Sequence, residues 1–224
     1  DFAEEATEIS RLTGKPVQVL FTREDDMTAG TYRPASKYKF RMAIQDGKVT
    51  GYHLTEAFVN GGMWDPIAQN FPAGAIENVL VESHNLESNI TTGAWRAPVT
   101  NFLAFAEQAF IDEVAHTLGQ DPVQFRLDLL DQAKNKLVGE IEYDIDKLRG
   151  VIELAAEKSN WGKAANGVHQ GFSAYYSHNT YVAEVAEVVM RDDSPVVQKV
   201  ICAVDCGIVV NPIAATNQVE GGII

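Results

Sequence analysis

The sequence has few cysteines, no excess of basic residues and no long apolar run. Its two cysteines, Cys202 and Cys206, are too few for a disulfide framework and lack partners at zinc-finger spacing, so both are interpreted as small buried side chains. The formal charge of −13 leaves no basic face for a nucleic acid. Apolar runs fall short of the roughly 20 residues that span a membrane, so no membrane span is predicted in this segment.

Common catalytic signatures are missing as well. There is no GxGxxG or Walker-type phosphate loop, no HExxH zinc motif and no GxSxG nucleophile elbow. The first residues, DFAEEATEIS, form an amphipathic helical pattern rather than a signal peptide. The absence of an initiator methionine and the apolar end EGGII predict a segment of a longer polypeptide.

The periodicities that are present predict an α+β fold, with mixed or antiparallel sheets and packed helices. Helices are predicted over residues 2–13, 101–118, 122–130 and 146–159, and from Pro212 onward. Strands are predicted over residues 16–22, 36–45, 48–61, 78–83, 86–91, 171–177, 181–190 and 196–204. Asp46-Gly47 predicts a hairpin turn, and residues 22–34 a polar loop.

A charged, weakly patterned stretch predicts how the chain is divided. Residues 132–145 are expected to be a linker or surface excursion. They separate a first α+β portion, 1–131, from a second, 146–224, which is expected to be incomplete at its C-terminal end.

The motif GAWRAP places Arg96 between a predicted strand and the start of a predicted helix. A guanidinium there can hold an anion together with backbone N–H groups of the helix start. An arginine paired with one of the many carboxylates is the structural alternative, and the spacing leaves both open.

Two further stretches combine polar groups with turn residues. In VNPIAATNQVEGG, Gln218 lies beside Gly221 and Gly222, where a ligand can approach the backbone closely; a helix end with a surface glutamine is the alternative. In GFSAYYSHNTY, Tyr175, Tyr176 and His178 could line an aromatic pocket, or simply pack within a sheet.

Five motifs occur in one order: TREDDM, GAWR, the helix AFAEQAFIDEVAHTLGQDPVQFRLDLL, YVAEVAEV, and AVDCG followed by VNP and NQVEGG. Together they resemble the molybdopterin-binding large subunit of the xanthine dehydrogenase/aldehyde oxidase family, and within it the isoquinoline 1-oxidoreductase beta type. The resemblance covers nearly the whole chain. It implies a molybdenum hydroxylase that oxidises a ring carbon of an N-heteroaromatic compound or an aldehyde, using oxygen from water.

The resemblance also implies cofactors, a partner and site residues. The cofactor would be molybdenum-molybdopterin, in a cytosine dinucleotide form, and a small partner subunit would carry [2Fe-2S] clusters. Arg96 would be catalytic beside the metal, without ligating it. The cofactor would be bound by Trp95, Arg96, Ala97, Gln218, Gly221 and Gly222. Pro98, Tyr175, Tyr176 and His178 would line the substrate pocket.

The family's general-base glutamate and its Gly-Gly-x-Phe-Gly loop match nothing in the chain, so the chain alone is expected to bind molybdopterin weakly and not to turn over. Pro98 stands where xanthine-oxidising relatives carry an aromatic residue, and their purine-gripping arginine has no counterpart in GGMWDPIAQNFPAG. Purines are therefore not the expected substrate. A non-catalytic interaction or scaffold module, or a paralogue that binds the cofactor without using it, remains an alternative.

Overall fold

The computed structural model describes residues 2–60, 67–94 and 100–224. Within these ranges it has six helices and six strands. The helices are α1 (Phe2–Thr13), α2 (Arg23–Ala29), α3 (Thr100–Thr117), α4 (Pro122–Asn135), α5 (Ile145–Ser159) and α6 (Pro212–Ile223). The strands are β1 (Ser36–Gln45), β2 (Lys48–Val59), β3 (Asn78–Leu86), β4 (His169–Ser177), β5 (Thr180–Arg191) and β6 (Ser194–Asp205).

The first sheet has the order β1-β2-β3. β1 and β2 form an antiparallel hairpin, while β3 runs parallel to β2. The hairpin turns at Asp46 and Gly47, whose φ angles of 51° and 72° suit the tight turn predicted there. Alternation along β2 buries Tyr52, Leu54 and Phe58 on one face.

The second sheet is antiparallel throughout, in the order β4-β5-β6. Its inward face carries small and branched side chains, including Ala183 and Val185, which are fully buried. Small residues at these positions let helix α5 pack closely against β5 and β6.

Helix α4 packs against both α3 and α5, and the three helices connect the two sheets. α3 contacts both β1 and β4, and α5 contacts all three strands of the second sheet. One apolar core contains buried residues from both sheets and from all three helices. The fold is therefore α+β, as the sequence pattern predicts.

Three local predictions are wrong. Residues 16–22 have irregular backbone, because none of the described strands pairs with them. The predicted loop 22–34 contains α2, which begins with a reciprocal capping box between Thr22 and Asp25. The strands predicted over 78–83 and 86–91 are instead the single strand β3, which ends with β2 at the Val59–Leu86 pair.

The structure also bears on the predicted linker, the two cysteines and the predicted absence of a membrane span. α4 continues to Asn135 and α5 begins at Ile145, so the predicted linker 132–145 starts within a helix; the division at 131 and 146 stays a prediction. Both cysteines are free, but the predicted burial is wrong because Cys206 is exposed and Cys202 only half-buried. Within the described ranges, none of the helices has the length and apolarity to cross a membrane.

Candidate functional site

A cavity of about 520 Å³ lies between helix α3, the second sheet and helix α6. Helix α3 and strand β4 provide most of its wall, and α6 contributes its last turn. The lining residues are Ala104, Phe105, Gln108, Ala109, Asp112, Gly171, Phe172, Ser173, Tyr175, Glu184, Ala186, Val200, Gly222 and Ile223. The wall is thus largely apolar with a few polar side chains, as is usual for a small-molecule site.

The polar part of the wall is organised by Arg126 of α4, which is completely buried. Its Nε and Nη2 donate to Gln108 Oε1 at 3.1 and 2.9 Å, and its Nη1 donates to the Pro122 carbonyl at 2.9 Å. Nη1 also lies 2.7 Å from Asp112 Oδ1, an ion pair. Burial lowers the pKa of Arg126, and the charge of Asp112 opposes that shift.

The aromatic part of the wall packs on the same arginine. The Arg126 guanidinium lies 5.5 Å from the ring centre of Phe172, close enough for a cation–π contact. Trp161 packs edge-on against Phe172 and donates from Nε1 to Asp121 Oδ2 at 2.7 Å. Asp121 also caps α4, so one residue fixes both the helix start and the indole behind the cavity.

Behind the cavity, Glu107 faces the first sheet. Its side chain is buried, and its Oε1 accepts a hydrogen bond of 2.7 Å from the Tyr52 hydroxyl. The Tyr175 hydroxyl faces the same carboxyl group from β4. Burial raises the pKa of Glu107 to about 7; the two tyrosines oppose this shift and the nearby carboxyl group of Glu56 adds to it.

The turn between β4 and β5 carries the other predicted pocket residues. The Ser177 hydroxyl lies 2.6 Å from His178 Nδ1 and 2.9 Å from the Thr100 hydroxyl at the start of α3. Tyr176 packs its ring 4.9 Å from that of Tyr181, on the opposite face of β4 from Tyr175. The structure therefore brings Tyr175 to the cavity wall but not Tyr176 or His178.

Helix α6 carries the predicted cofactor-binding residues Gln218, Gly221 and Gly222. All three are exposed, and only Gly222 lines the cavity. A Cβ atom added at Gly221 or Gly222 would meet nothing within 4 Å, so space is open on this side of the helix. The Gln218 side chain makes no hydrogen bond to another residue in the described ranges.

Four predicted site residues, Trp95, Arg96, Ala97 and Pro98, lie outside the described residues. Their roles stay predictions. Among the described residues, no group of three or more histidine, cysteine, aspartate or glutamate side chains is arranged to hold a metal ion.

Sequence reasoning missed Glu107, Gln108 and Arg126. A signal was present, because Glu107 and Gln108 interrupt the apolar pattern of the helix, and Arg126 interrupts that of the next one. Phe105 of α3 lines the cavity and is 82% exposed.

An α+β fold with a largely apolar, open cavity beside a glycine-bearing helix is typical of a cofactor- or ligand-binding domain. Residues 5–130 match the family described as the molybdopterin cofactor-binding domain, which is more than half of the chain. The chain belongs to this family.

Its relatives include two curated proteins. The chain is 32% identical over 94% of its length to a membrane-bound aldehyde dehydrogenase (pyrroloquinoline-quinone) of Gluconacetobacter polyoxogenes. It is 28% identical over 98% of its length to isoquinoline 1-oxidoreductase subunit beta of Brevundimonas diminuta. The chain spans 31% and 29% of the lengths of these relatives.

The fold is also similar to that of a solved structure, the aldehyde oxidoreductase from Desulfovibrio desulfuricans ATCC 27774. The TM-score is 0.52 at 15% sequence identity, over 79% of this chain and 20% of that one. At this identity the likeness concerns the fold alone.

Proposed function

We propose that the chain forms part of the molybdopterin cleft of an oxidoreductase and contributes to its substrate pocket. The observation that carries the proposal is the cavity between α3, the second sheet and α6. Its lining contains both Gly222, which is predicted to bind the cofactor, and Tyr175, which is predicted to line the substrate pocket. Membership of the molybdopterin cofactor-binding domain family supports the same reading.

The residues around α6 fit a bulky cofactor. Open space over Gly221 and Gly222 admits a ring system close to the backbone. The uncommitted amide of Gln218 can donate and accept hydrogen bonds in one plane, as a pterin edge requires. When bound, the molybdenum group would accept two electrons and mediate transfer of oxygen from water to the substrate.

The substrate we propose is an N-heteroaromatic compound oxidised at a ring carbon, or an aldehyde. Phe105, Phe172 and Tyr175 give the cavity aromatic walls suited to a flat molecule. The names of the two curated relatives specify an aldehyde and isoquinoline as their substrates. Both kinds of molecule present an electron-poor carbon.

Arg96, flanked by Trp95 and Ala97, would supply positive charge where negative charge develops during oxidation. This role rests on the resemblance of GAWRAP to the family motif. The same resemblance supports the cytosine dinucleotide form of the cofactor and a small partner subunit with [2Fe-2S] clusters.

The test is cofactor binding by the purified chain. We expect weak but saturable binding of molybdenum-molybdopterin, measured in equilibrium dialysis as metal by mass spectrometry and as pterin fluorescence. Gln218→Leu should weaken this binding, whereas Gln120→Leu, an exposed glutamine away from α6, should not. Binding of pyrroloquinoline quinone instead, or equal binding by both variants, would contradict the proposal.

A non-catalytic interaction module is the second candidate. The segment before α6 and the first turn of α6 favour it, because Ile208 and Val210 are 94% and 92% exposed and Ile213 is 76% exposed. Exposed apolar side chains that form a contiguous patch mark protein contacts. A chain that forms a stable protein complex but takes up no molybdenum or pterin would support this candidate over the first.

A further inference from the structure

Strand β3 forms an open edge of the first sheet. It pairs with β2 in uninterrupted register from Asn78 to Leu86, and none of the described strands pairs with its other side. All of its residues except Val81 are exposed. An open strand edge presents unpaired N–H and C=O groups, so a further strand can be added there.

The opposite edge of the same sheet, β1, is protected against such pairing. Its exposed side chains include Lys37, Lys39 and Arg41, and its register with β2 is interrupted by a shift. Lysines and register irregularities are features by which natural proteins prevent edge-to-edge pairing. The sequence of β3, NVLVESHNL, contains neither lysine nor proline, and its Leu80 and Leu86 are 52% and 57% exposed. The open edge is therefore the β3 edge.

The outer face of β3 is complementary to itself. Four of its side chains share that face with His53 of β2: Leu80, Glu82, His84 and Leu86. Along the strand this face reads leucine, acid, imidazole, leucine. A second copy running antiparallel reads leucine, imidazole, acid, leucine, so each leucine meets a leucine and each carboxylate meets an imidazole.

Only one register gives this match. Residues directly opposite each other in an antiparallel pair have their side chains on the same face. When Ser83 lies opposite its own copy, Leu80 faces Leu86 of the second copy, and Glu82 faces His84 of the second copy. A two-fold axis at Glu82 would place two carboxylates opposite each other, and an axis at His84 would place two imidazoles there.

Glu82 is already oriented on this face. Its Oε2 lies 2.7 Å from His53 Nε2, and this hydrogen bond lowers the pKa of Glu82, which favours the carboxylate. The Glu82 side chain is still 47% exposed. It can therefore accept a second hydrogen bond from an imidazole of another chain.

We propose that two copies of the chain pair as antiparallel strands through the open edge of β3, with Ser83 on the two-fold axis, and so join their first sheets into one. The assembly closes at two copies, because its outer edges are then the protected β1 strands. A single strand pair is a small interface, so we expect a dissociation constant on the order of tens of micromolar. The described lining of the cavity contains no residue of β3, so this inference goes beyond the proposed function and does not depend on it.

The first experiment measures self-association of the purified chain by sedimentation velocity, from about 1 to about 300 µM. We expect a monomer–dimer equilibrium in the wild type. His84→Glu places carboxylates opposite each other twice in each dimer and should raise the dissociation constant at least about tenfold. Combining it with Glu82→His opposes acid and imidazole again and should recover most of the affinity. His116→Glu, which adds the same charge at an exposed position of α3, should change nothing.

Two outcomes of this experiment would overturn the proposal. A wild-type chain that stays monomeric over the whole range would leave the β3 edge to a strand of another protein. Equal association of His84→Glu and His116→Glu would show that the copies meet elsewhere.

The second experiment tests the register by cross-linking, with both native cysteines replaced by serine. In the proposed dimer Ser83→Cys brings two thiols to directly opposite positions, where β-carbons are about 4.5–5.5 Å apart, so mild oxidation should link the copies. Asn85→Cys is the matched control on the same face, because Asn85 lies opposite Val81 of the second copy. A cross-link through Asn85→Cys instead, or through neither cysteine in a chain that dimerises, would contradict the proposed pairing.

Discussion

Two consecutive residues of α3, Glu107 and Gln108, are buried in contrasting surroundings. Glu107 faces Tyr52 of the first sheet, with another acid, Glu56, nearby. Gln108 faces the second sheet and shares its oxygen between Arg126 and a backbone N–H group. Among the described residues no cation pairs with the Glu107 carboxyl group, whereas the neutral Gln108 amide is hydrogen-bonded to the Arg126 guanidinium.

This contrast shows how the helix is held on its two sides. On the Gln108 side, a buried positive charge is satisfied by the amide oxygen, the Pro122 carbonyl and Asp112. On the Glu107 side, burial raises the pKa of the carboxyl group and so favours its protonated, neutral form. Arg126 should therefore contribute to the free energy of unfolding at every pH. The contribution of Glu107 should change with pH.

Arg126→Met should have the largest effect. Removal of the arginine leaves Asp112 and the Gln108 oxygen without their main partner, so we expect a loss of roughly 3 kcal/mol in the free energy of unfolding. Urea denaturation measures it. Arg149→Met, which breaks more exposed ion pairs with Asp131 and Glu153, should lose about 1 kcal/mol or less. Equal losses would remove the distinction between a buried and a surface arginine.

Glu107→Gln should change the pH dependence of stability. The pKa of Glu107 is raised from 4.5 to about 7 in the folded chain, so folding takes up a proton between these values. The stability due to the protonated acid is complete below pH 4.5 and is lost as pH rises through 7, by roughly 3 kcal/mol. The variant should lack this component.

Thermal unfolding from pH 4 to 8.5 measures the difference between Glu107→Gln and wild type. Glu113→Gln, on the exposed face of the same helix, serves as the control. If stability varied with pH in the same way in wild type and Glu107→Gln, Glu107 would not be the source of the pH dependence.

Tyr52→Phe should have the smallest effect and should sharpen the contrast. The Tyr52 hydroxyl lowers the pKa of Glu107 by donating to its carboxylate, so its loss should raise that pKa further. We expect a destabilisation of about 1–2 kcal/mol at pH 8.5 and less at pH 5. Carboxyl ¹³C NMR of Glu107 gives the pKa directly.

Tyr143→Phe is the matched control for this variant. Its hydroxyl donates to the neutral carbonyl of Ala73, so the loss of stability should not depend on pH. A pH-independent loss in Tyr52→Phe as well would mean that Glu107 is not charged at pH 8.5.

Most elements with strong local patterns were predicted from the sequence, whereas part of what depends on tertiary partners was not. The period of α3 and the Asp46-Gly47 turn are local signals, and both are confirmed. Residues 16–22 have strand-like composition but remain irregular, because a strand needs a neighbour to satisfy its backbone. α2 was missed although Thr22 and Asp25 carry a capping box, since its polar composition masked the helix.

The candidate site likewise contains residues that were predicted from the sequence and residues that only the structure identified. Tyr175 and Gly222 were chosen from the sequence, and the structure brings both to one cavity. Gln108 and Arg126 were not, since a polar residue within an apolar helix has no assigned partner until the chain is folded. The roles proposed for Gln218 and Arg96 stay predictions.

The sequence by itself determined the order of the helices and most strands and the membership of the molybdopterin cofactor-binding domain family, because periodicity and motif order are properties of the chain. Only the tertiary structure decided that the Gln108 amide nitrogen is buried without a partner among the described residues, and that burial raises the pKa of Glu107 to about 7. The partners of these two residues, Ala174 and Tyr52, lie 66 and 55 positions away. Contacts between residues so far apart in the sequence arise from tertiary packing, so a local sequence pattern does not predict them.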